Sequence, residues 1–330
     1  QDRCGTGCDR QDLRRLPRRL SRSEAKLSIV TVRIRILTGM RKAGLMSGLA
    51  LLLSMAVQTA SAETMVEKGA YLVHAGGCIA CHTAKDGGTR FAGGLGLDTP
   101  FGTFYSPNIT PDPQHGIGDW SDEDFIRAMH EGVGPDGGRY FPVFPYGSYT
   151  KMTREDALAI KAYLFSLDPV AQPDREHDVS FPFSWRFMQR GWRMLFFDEG
   201  RFEPDPAQSA EWNRGAYLVD ALTHCGECHT PRNMFGGMKT GSYLAGTPDG
   251  PEGQLVPNIT PHDTGISDWG KGDLVELMKS GMKPDFDNVQ GSMEEAIEDG
   301  LKYLTDADLQ AIETYIYSVP AIDNKVVRNK

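Results

Sequence analysis

Two short stretches, GCIACHT at 77–83 and HCGECHT at 224–230, place two cysteines three positions apart with a histidine directly behind the second. Cys78, Cys81 and His82 form the first set, and Cys225, Cys228 and His229 the second. On a helical turn that spacing brings both thiols to one face. Two thiols so placed can add to the two vinyl groups on one edge of a porphyrin, and the adjacent imidazole is then carried under the ring to bind iron. This is the attachment pattern of c-type haem. A zinc half-site, a thioredoxin-like pair and a structural disulfide compete for the same residues. Zinc needs four ligands where each stretch has two cysteines, and a redox dithiol expects a strand–helix context that neither flank supplies. Two motifs with matching flanks favour two covalently bound haem c groups, each iron held on one side by His82 or His229.

The other axial side decides whether such an iron carries electrons or meets small molecules; a methionine thioether raises the potential and closes the metal. In the second half, VQGSMEEAIEDGLKYLTDAD offers Met293, flanked by small residues. In the first, RYFPVFPYGSYTKMTRED offers Met152, with an open or histidine-ligated iron as the competitor. Met129, on an apolar helical face, and Met278 and Met282, nearer the preceding helix, read as core. His74, His115 and His130 are free for alternative ligation, whereas His224 abuts Cys225 too closely to cross the ring. Pro107 and Pro257, in the repeated PNIT, stand where a loop carbonyl can receive the axial histidine's other ring N–H. Asn108 and Asn258 could bond a propionate or simply fix a rigid turn. Trp120 and Trp269 suit the wall of a haem pocket, or ordinary core packing.

These residues must be positioned by one unit written twice. KGAYLVHAGGCIACHT (68–83) returns as RGAYLVDALTHCGECHT (214–230), one residue longer; SPNITPDPQHGIGDW (106–120) returns as VPNITPHDTGISDW (256–269); MTREDALAIKAYLFSL (152–167) returns as LTDADLQAIETYIYSV (304–319). Each copy opens with a short amphipathic helix running into the cysteine motif. A second helix follows the Asp-Trp pair, with Ser121 and Asp124 as a capping box. A last helix starts at Thr153 or Thr305, with Leu158, Ala162 and Phe165, or Leu309, Ile312 and Ile316, along one face. Few segments alternate as strands do, so the expected class is all-α, with cytochrome c domains over 63–170 and 207–322 and a linker over 171–206. Within that linker FPFSWRFMQRGWRMLFFDEG (181–200) reads as a helix packed between the two domains, or as a docking patch displaying Trp185, Trp192, Met194 and Phe196.

The chain has 330 residues, 40% hydrophobic and 24% charged, enough for two modest domains. MRKAGLMSGLALLLSMAVQTASAE, from Met40, reads as a secretory signal over 40–62 with cleavage after Ala62, so that Glu63 begins the mature chain. Residues 1–39, with an arginine-rich run and Cys4 and Cys8, read as translated upstream sequence. Residues 1–62 hold 12 of the 35 basic and 4 of the 44 acidic side chains, which leaves a net charge of −17 on the rest. Such a surface repels nucleic acid and favours basic or dipolar protein partners. A periplasmic location follows from the signal.

GCIACHT, TPFGTFYSPNITPDPQHGIGDWSDEDFIRAMHEG, FPVFPYGSYTKMTREDALAIKAYLFSL and EWNRGAYLVDALTHCGECHTPRN together resemble the cytochrome c subunits of membrane-associated alcohol, gluconate and related periplasmic dehydrogenases. The likeness covers essentially the whole of the chain from Glu63 onward. It implies class I cytochrome c folds strung together, with electrons passing from a dehydrogenase subunit toward quinone, a downstream redox protein or a terminal oxidase. Many members carry three haems and a C-terminal anchor; here there are two motifs and a polar tail. Some read YPAMPY and use its methionine as ligand, whereas Phe144 takes that place in FPVFPY. The expected role is therefore a dihaem cytochrome c that relays single electrons and catalyses nothing itself, as the electron-accepting subunit or partner of a dehydrogenase. Peripheral association with a membrane complex is compatible with that role. The rival is a dihaem peroxidase with one open iron.

Overall fold

The computed structural model describes residues 64–85 and 87–328. The expected export signal over 40–62, residues 1–39 with Cys4 and Cys8, and Glu63 lie outside them. The described residues cluster as one compact unit.

The first helix, α1 (64–75), runs into a single turn, α2 (Cys78–Cys81). A loop and hairpin follow, then α3 (Asp122–Glu131), the turn α4 (Tyr146–Tyr149) and α5 (Arg154–Phe165). After α6 (Met188–Phe196) the order repeats: α7 (Ala210–Tyr217), the turn α8 (Gly226–His229), α9 (Asp273–Ser280), α10 (Ser292–Asp299) and α11 (Asp306–Ile316). The caps read from the sequence form. Ser121 accepts from Asp124 N–H while Asp124 accepts from Ser121 N–H, and Thr153 and Thr305 each accept from the N–H three residues on.

Each half is built on a crossing of its first and last long helices. A Cβ on Gly69 would stand 1.9 Å from the carbonyl oxygen of Ala159, and one on Gly215 1.9 Å from that of Ala311. Glycine is required there because the backbones themselves touch. Above each crossing lies the core: Leu72, Ile160 and Leu164 in the first half, Leu218, Leu309 and Ile312 in the second. The extra residue of the second copy is absorbed as a π-turn, Leu218–Leu222, which continues α7 and keeps both ends of the repeat in step.

Two expectations are corrected. The described residues are mostly helical but include a small antiparallel sheet, β1 (Gly96–Thr99), β2 (Gly102–Tyr105) and β3 (Asp178–Val179), in the order β1-β2-β3. Gly102, at φ 128°, lets the turn close against Asp178, and Phe104 buries its ring. On α5 the buried face is Ala157, Ile160, Lys161 and Leu164, one position away from Leu158, Ala162 and Phe165, because small Ala159 must meet Gly69. On α11 Leu309, Ile312 and Ile316 are buried as expected.

Helix α6 touches both halves along one edge. Trp192 packs edge-on to Tyr146 and donates its indole N–H to the Phe235 carbonyl, 3.0 Å away, and Phe196 lies against Gly237. The opposite edge faces solvent, with Met194 87% and Leu195 73% exposed. No helix among the described residues is long and apolar enough to cross a membrane.

Candidate haem-attachment sites

At the first motif, left-handed Gly77 (φ 61°) turns the chain into α2, which presents Cys78 and Cys81 three positions apart. His82 caps that turn, and its Nδ1 lies 2.8 Å from the carbonyl oxygen of Pro107. At the second, α8 lies between Cys225 and Thr230, and His229 Nδ1 lies 2.9 Å from the carbonyl oxygen of Pro257. A carbonyl can only accept, so in each ring Nδ1 carries the proton. The neutral ring then keeps its lone pair on Nε2, which is what an axial imidazole must offer iron. Burial lowers both histidines below their ordinary value although the proline carbonyls raise them, so both rings are neutral at pH 7.

Each histidine is held a second time through its backbone. Gly93 N–H donates to the His82 carbonyl at 2.9 Å and Gly246 N–H to the His229 carbonyl at 2.7 Å. A Cβ on Gly93 would meet Pro107 C at 2.4 Å, and one on Gly246 would meet Pro257 C at 2.5 Å. Both glycines have positive φ, 74° and 78°, and two residues ahead of each stands a left-handed non-glycine, Phe91 or Leu244. Those strained residues are pinned by the threonine behind each motif: Phe91 N–H donates to Thr83 Oγ1 at 3.3 Å and Leu244 N–H to Thr230 Oγ1 at 3.1 Å. Thr83, Thr230, Gly93 and Gly246 were missed in the sequence. The repeated threonine of CHT and the F/L-A-G triplets were the available signal.

Cys78, Cys81, Cys225 and Cys228 are all free thiols. Burial pushes Cys78 up to about 12, Cys225 up to about 11 and Cys228 up to about 12, and raises Cys81. A working redox dithiol depends on a depressed thiol, so this environment opposes that alternative. Among the described residues no group of three or more His, Cys, Asp and Glu side chains converges as a metal cage would. The donor set at each motif, two free thiols and one imidazole with its Nδ1 proton committed to a carbonyl, fits a covalently attached haem.

The cytochrome c family model matches residues 66–168. A diheme cytochrome c-type protein of Cereibacter sphaeroides is 42% identical over 266 residues, which cover 78% of this chain and 86% of that one. The chain belongs to the cytochrome c family. It is also 43% identical over 256 residues to a nicotinate dehydrogenase subunit of Pseudomonas putida, of which it spans 21%, and 42% identical over 259 residues to the fructose dehydrogenase cytochrome subunit of Gluconobacter japonicus, of which it spans 53%.

The remaining residues of this cytochrome fall as follows. Met293 is the second residue of α10, half-buried against the core. Met152 is fully buried, one residue ahead of the cap Thr153, as Leu304 is buried one residue ahead of the cap Thr305. Met129 and Met278 are core, as expected. Asn108 and Asn258 are corrected to turn fixers: each Oδ1 accepts from the N–H and hydroxyl of the threonine two residues on, and each Nδ2 donates to a carbonyl beyond the last helix, Val170 or Ile322. No donor is left on either for a propionate. Trp120 and Trp269 lie half-buried against the core. Of the histidines, His74 Nδ1 is 2.9 Å from the Asp299 carbonyl oxygen, His224 Nε2 is 3.3 Å from that of Gly76, and His130 is buried beside the Met152 backbone.

Proposed function

We propose that this cytochrome is a periplasmic dihaem electron relay, exported through the signal over 40–62, that accepts single electrons from a dehydrogenase subunit and passes them to a downstream redox protein or oxidase. The observation that carries it is the twofold repetition of one ligand geometry: His82 on Pro107 and His229 on Pro257, each beside its own pair of free thiols. In this reading Cys78, Cys81, Cys225 and Cys228 tether two haems in tandem cytochrome c domains, 63–170 and 207–322, and Met293 closes the second iron. The diheme relative, covered over most of its length, supports the count of two.

Haem supplies a one-electron iron couple when bound. The chain's part is to hold, orient and keep dry. Proline carbonyls fix the tautomer of each imidazole, the glycine and threonine contacts lock each loop, and a core of aliphatic side chains excludes water. The two motifs also adjoin: Gly76, just ahead of the first, accepts from the Tyr149 hydroxyl at 2.9 Å and lies 3.3 Å from His224 Nε2, just ahead of the second. Ser148 donates to Glu227, between the second pair of cysteines, at 2.8 Å. Porphyrin edges attached at adjoining motifs suit transfer between them.

For a partner, the relatives' names point to dehydrogenases: one is a nicotinate dehydrogenase subunit and another a fructose dehydrogenase cytochrome subunit. They favour the carrier over the peroxidase alternative. The solvent edge of α6, with Phe187, Met188, Met194 and Leu195 exposed, gives such a subunit or a membrane complex an apolar face to meet. The test is mass spectrometry of the exported chain: it should begin at Glu63 and carry two added porphyrins, one of which is lost in C78A/C81A and the other in C225A/C228A. A mature chain with no added porphyrin overturns the proposal.

A further inference from the structure

The turn α4 of the first half touches both attachment motifs. Tyr149, 5% exposed, donates its hydroxyl at 2.9 Å to the carbonyl of Gly76, two residues ahead of Cys78. A Cβ on Gly76 would stand 3.5 Å from Cys78 Sγ and 3.9 Å from the Tyr149 hydroxyl, so sulfur and phenol flank the same point. The ring also meets the second motif. His224, directly ahead of Cys225, sets its imidazole edge-on to Tyr149 at 5.5 Å and brings Nε2 to 3.3 Å from the same Gly76 carbonyl oxygen. Ser148, the neighbour of Tyr149 on the turn, donates at 2.8 Å to Glu227, which lies between Cys225 and Cys228.

His224 is kept in this contact at a cost. The residue directly ahead of the first cysteine is left-handed in both motifs, Gly77 at φ 61° and His224 at φ 40°. Glycine adopts that conformation freely, whereas a residue with a side chain is strained by it. A Cβ on Gly77 would meet nothing within 4 Å, so the first motif makes no use of the position. In the second, the imidazole reaches the other half. We infer that Tyr149, with His224 against it, is the bridge between the two haems: an electron passing from one attachment motif to the other crosses its ring, and the bond from the phenol to Gly76 holds that crossing at fixed width. This rests on the dihaem reading.

In each crossing one ferrous iron becomes ferric and one ferric iron becomes ferrous, and no covalent bond forms or breaks. Tyr149 itself stays reduced and protonated. Oxidation of a phenol requires its proton to leave, and the partner here is an amide carbonyl, which accepts a hydrogen bond but takes no proton. Burial holds the phenol well above its ordinary value, which opposes loss of that proton further. The ring therefore serves as closely packed matter between the motifs. Its removal leaves a gap with fewer atoms to carry the coupling.

The experiment uses the holoprotein, with haem counted per chain after denaturation in alkaline pyridine. A single electron delivered to the ferric protein by a flash-generated flavin semiquinone should redistribute between the haems in a phase whose rate is independent of protein concentration. Y149L should slow that phase severalfold, and Y149F, which keeps the ring, should restore most of it. H224G relieves the left-handed strain, and should slow the phase without lowering the unfolding temperature. Both haem potentials should stay at their native values in all three variants, which a general loosening of the fold would not allow. A native protein without that phase, a native rate in Y149L, or slowing that comes only with shifted potentials and earlier unfolding overturns the inference and leaves α4 a packing element. A haem count below two in the native chain fails the dihaem reading itself.

Discussion

Tyr71 and Asp308, 237 residues apart, are joined by a hydrogen bond of 2.6 Å from the phenol to Oδ2. The same tyrosine accepts from the Thr305 N–H, so it seals the cap of the last helix of the opposite half. Tyr217 does the same in return, donating to Asp156 and accepting from Thr153 N–H. Each carboxylate also pairs with a cation of its own half, Asp308 with Arg214 and Asp156 with Lys68. The repeated GAYLV and T-x-x-D segments thus exchange partners across the two halves, as an isologous dimer interface does.

Removing either phenol should loosen this exchange. Y217F should cost about 1.5–3 kcal/mol, the worth of a hydrogen bond to a charged group, because both Tyr217 and Asp156 are buried. Y71F, whose ring is half-exposed, should cost less. Urea denaturation of the two variants measures the difference, and equal costs would contradict the burial argument.

A pH dependence follows from Asp308. Burial raises its pKa, but the hydrogen bonds from Arg214 and Tyr71 outweigh that and hold the carboxyl below its ordinary value. A folded pKa below the unfolded one stabilises fully above the ordinary carboxylate value of 3.8 and is lost as pH falls through the folded pKa. Stability measured from pH 5 downward should therefore fall, and D308N should show a shallower fall over that window. An identical slope in D308N would assign the acid sensitivity elsewhere.

Much of this was legible in the residues because it was written twice. The motifs, their proline carbonyl partners and the threonine caps each appear in both copies in the same order, and the structure reproduces all of them. The three-stranded sheet was not legible: β1 and β2 are four residues each, too short to show alternation. The α5 face was misread by one position because its burial is set by contact with Gly69, a tertiary demand that periodicity within one helix does not carry. Asn108 looked like a ligand to something outside the chain because its real partner, the Val170 carbonyl, lies 62 residues away.

The helix crossing gives a stability prediction. G215A places a methyl 1.9 Å from the Ala311 carbonyl oxygen and 2.9 Å from Tyr315 Cβ, and neither backbone can step aside without separating α7 from α11. Overpacking of this kind costs about 1–3 kcal/mol, and a backbone obstacle puts it at the upper end. Thermal unfolding should shift down in G215A, and likewise in G69A against Ala159. A neutral result in either would mean that the helices can part freely.

The loop behind His229 gives a redox prediction. In G246A the residue must hold φ 78° with a Cβ 2.5 Å from Asn258 N and Pro257 C. The relief available is to push the Pro257 peptide away, which lengthens the bond from His229 Nδ1–H to its carbonyl. A weaker bond at Nδ1 makes the imidazole a poorer donor to a metal at Nε2, and a poorer donor favours the reduced iron. Potentiometric titration of the holoprotein should show the second haem shifted to higher potential in G246A with the first unmoved, and G93A should give the mirror result at the first haem. A downward shift, or both haems moving together, would show that the proline carbonyls do not tune their own histidines.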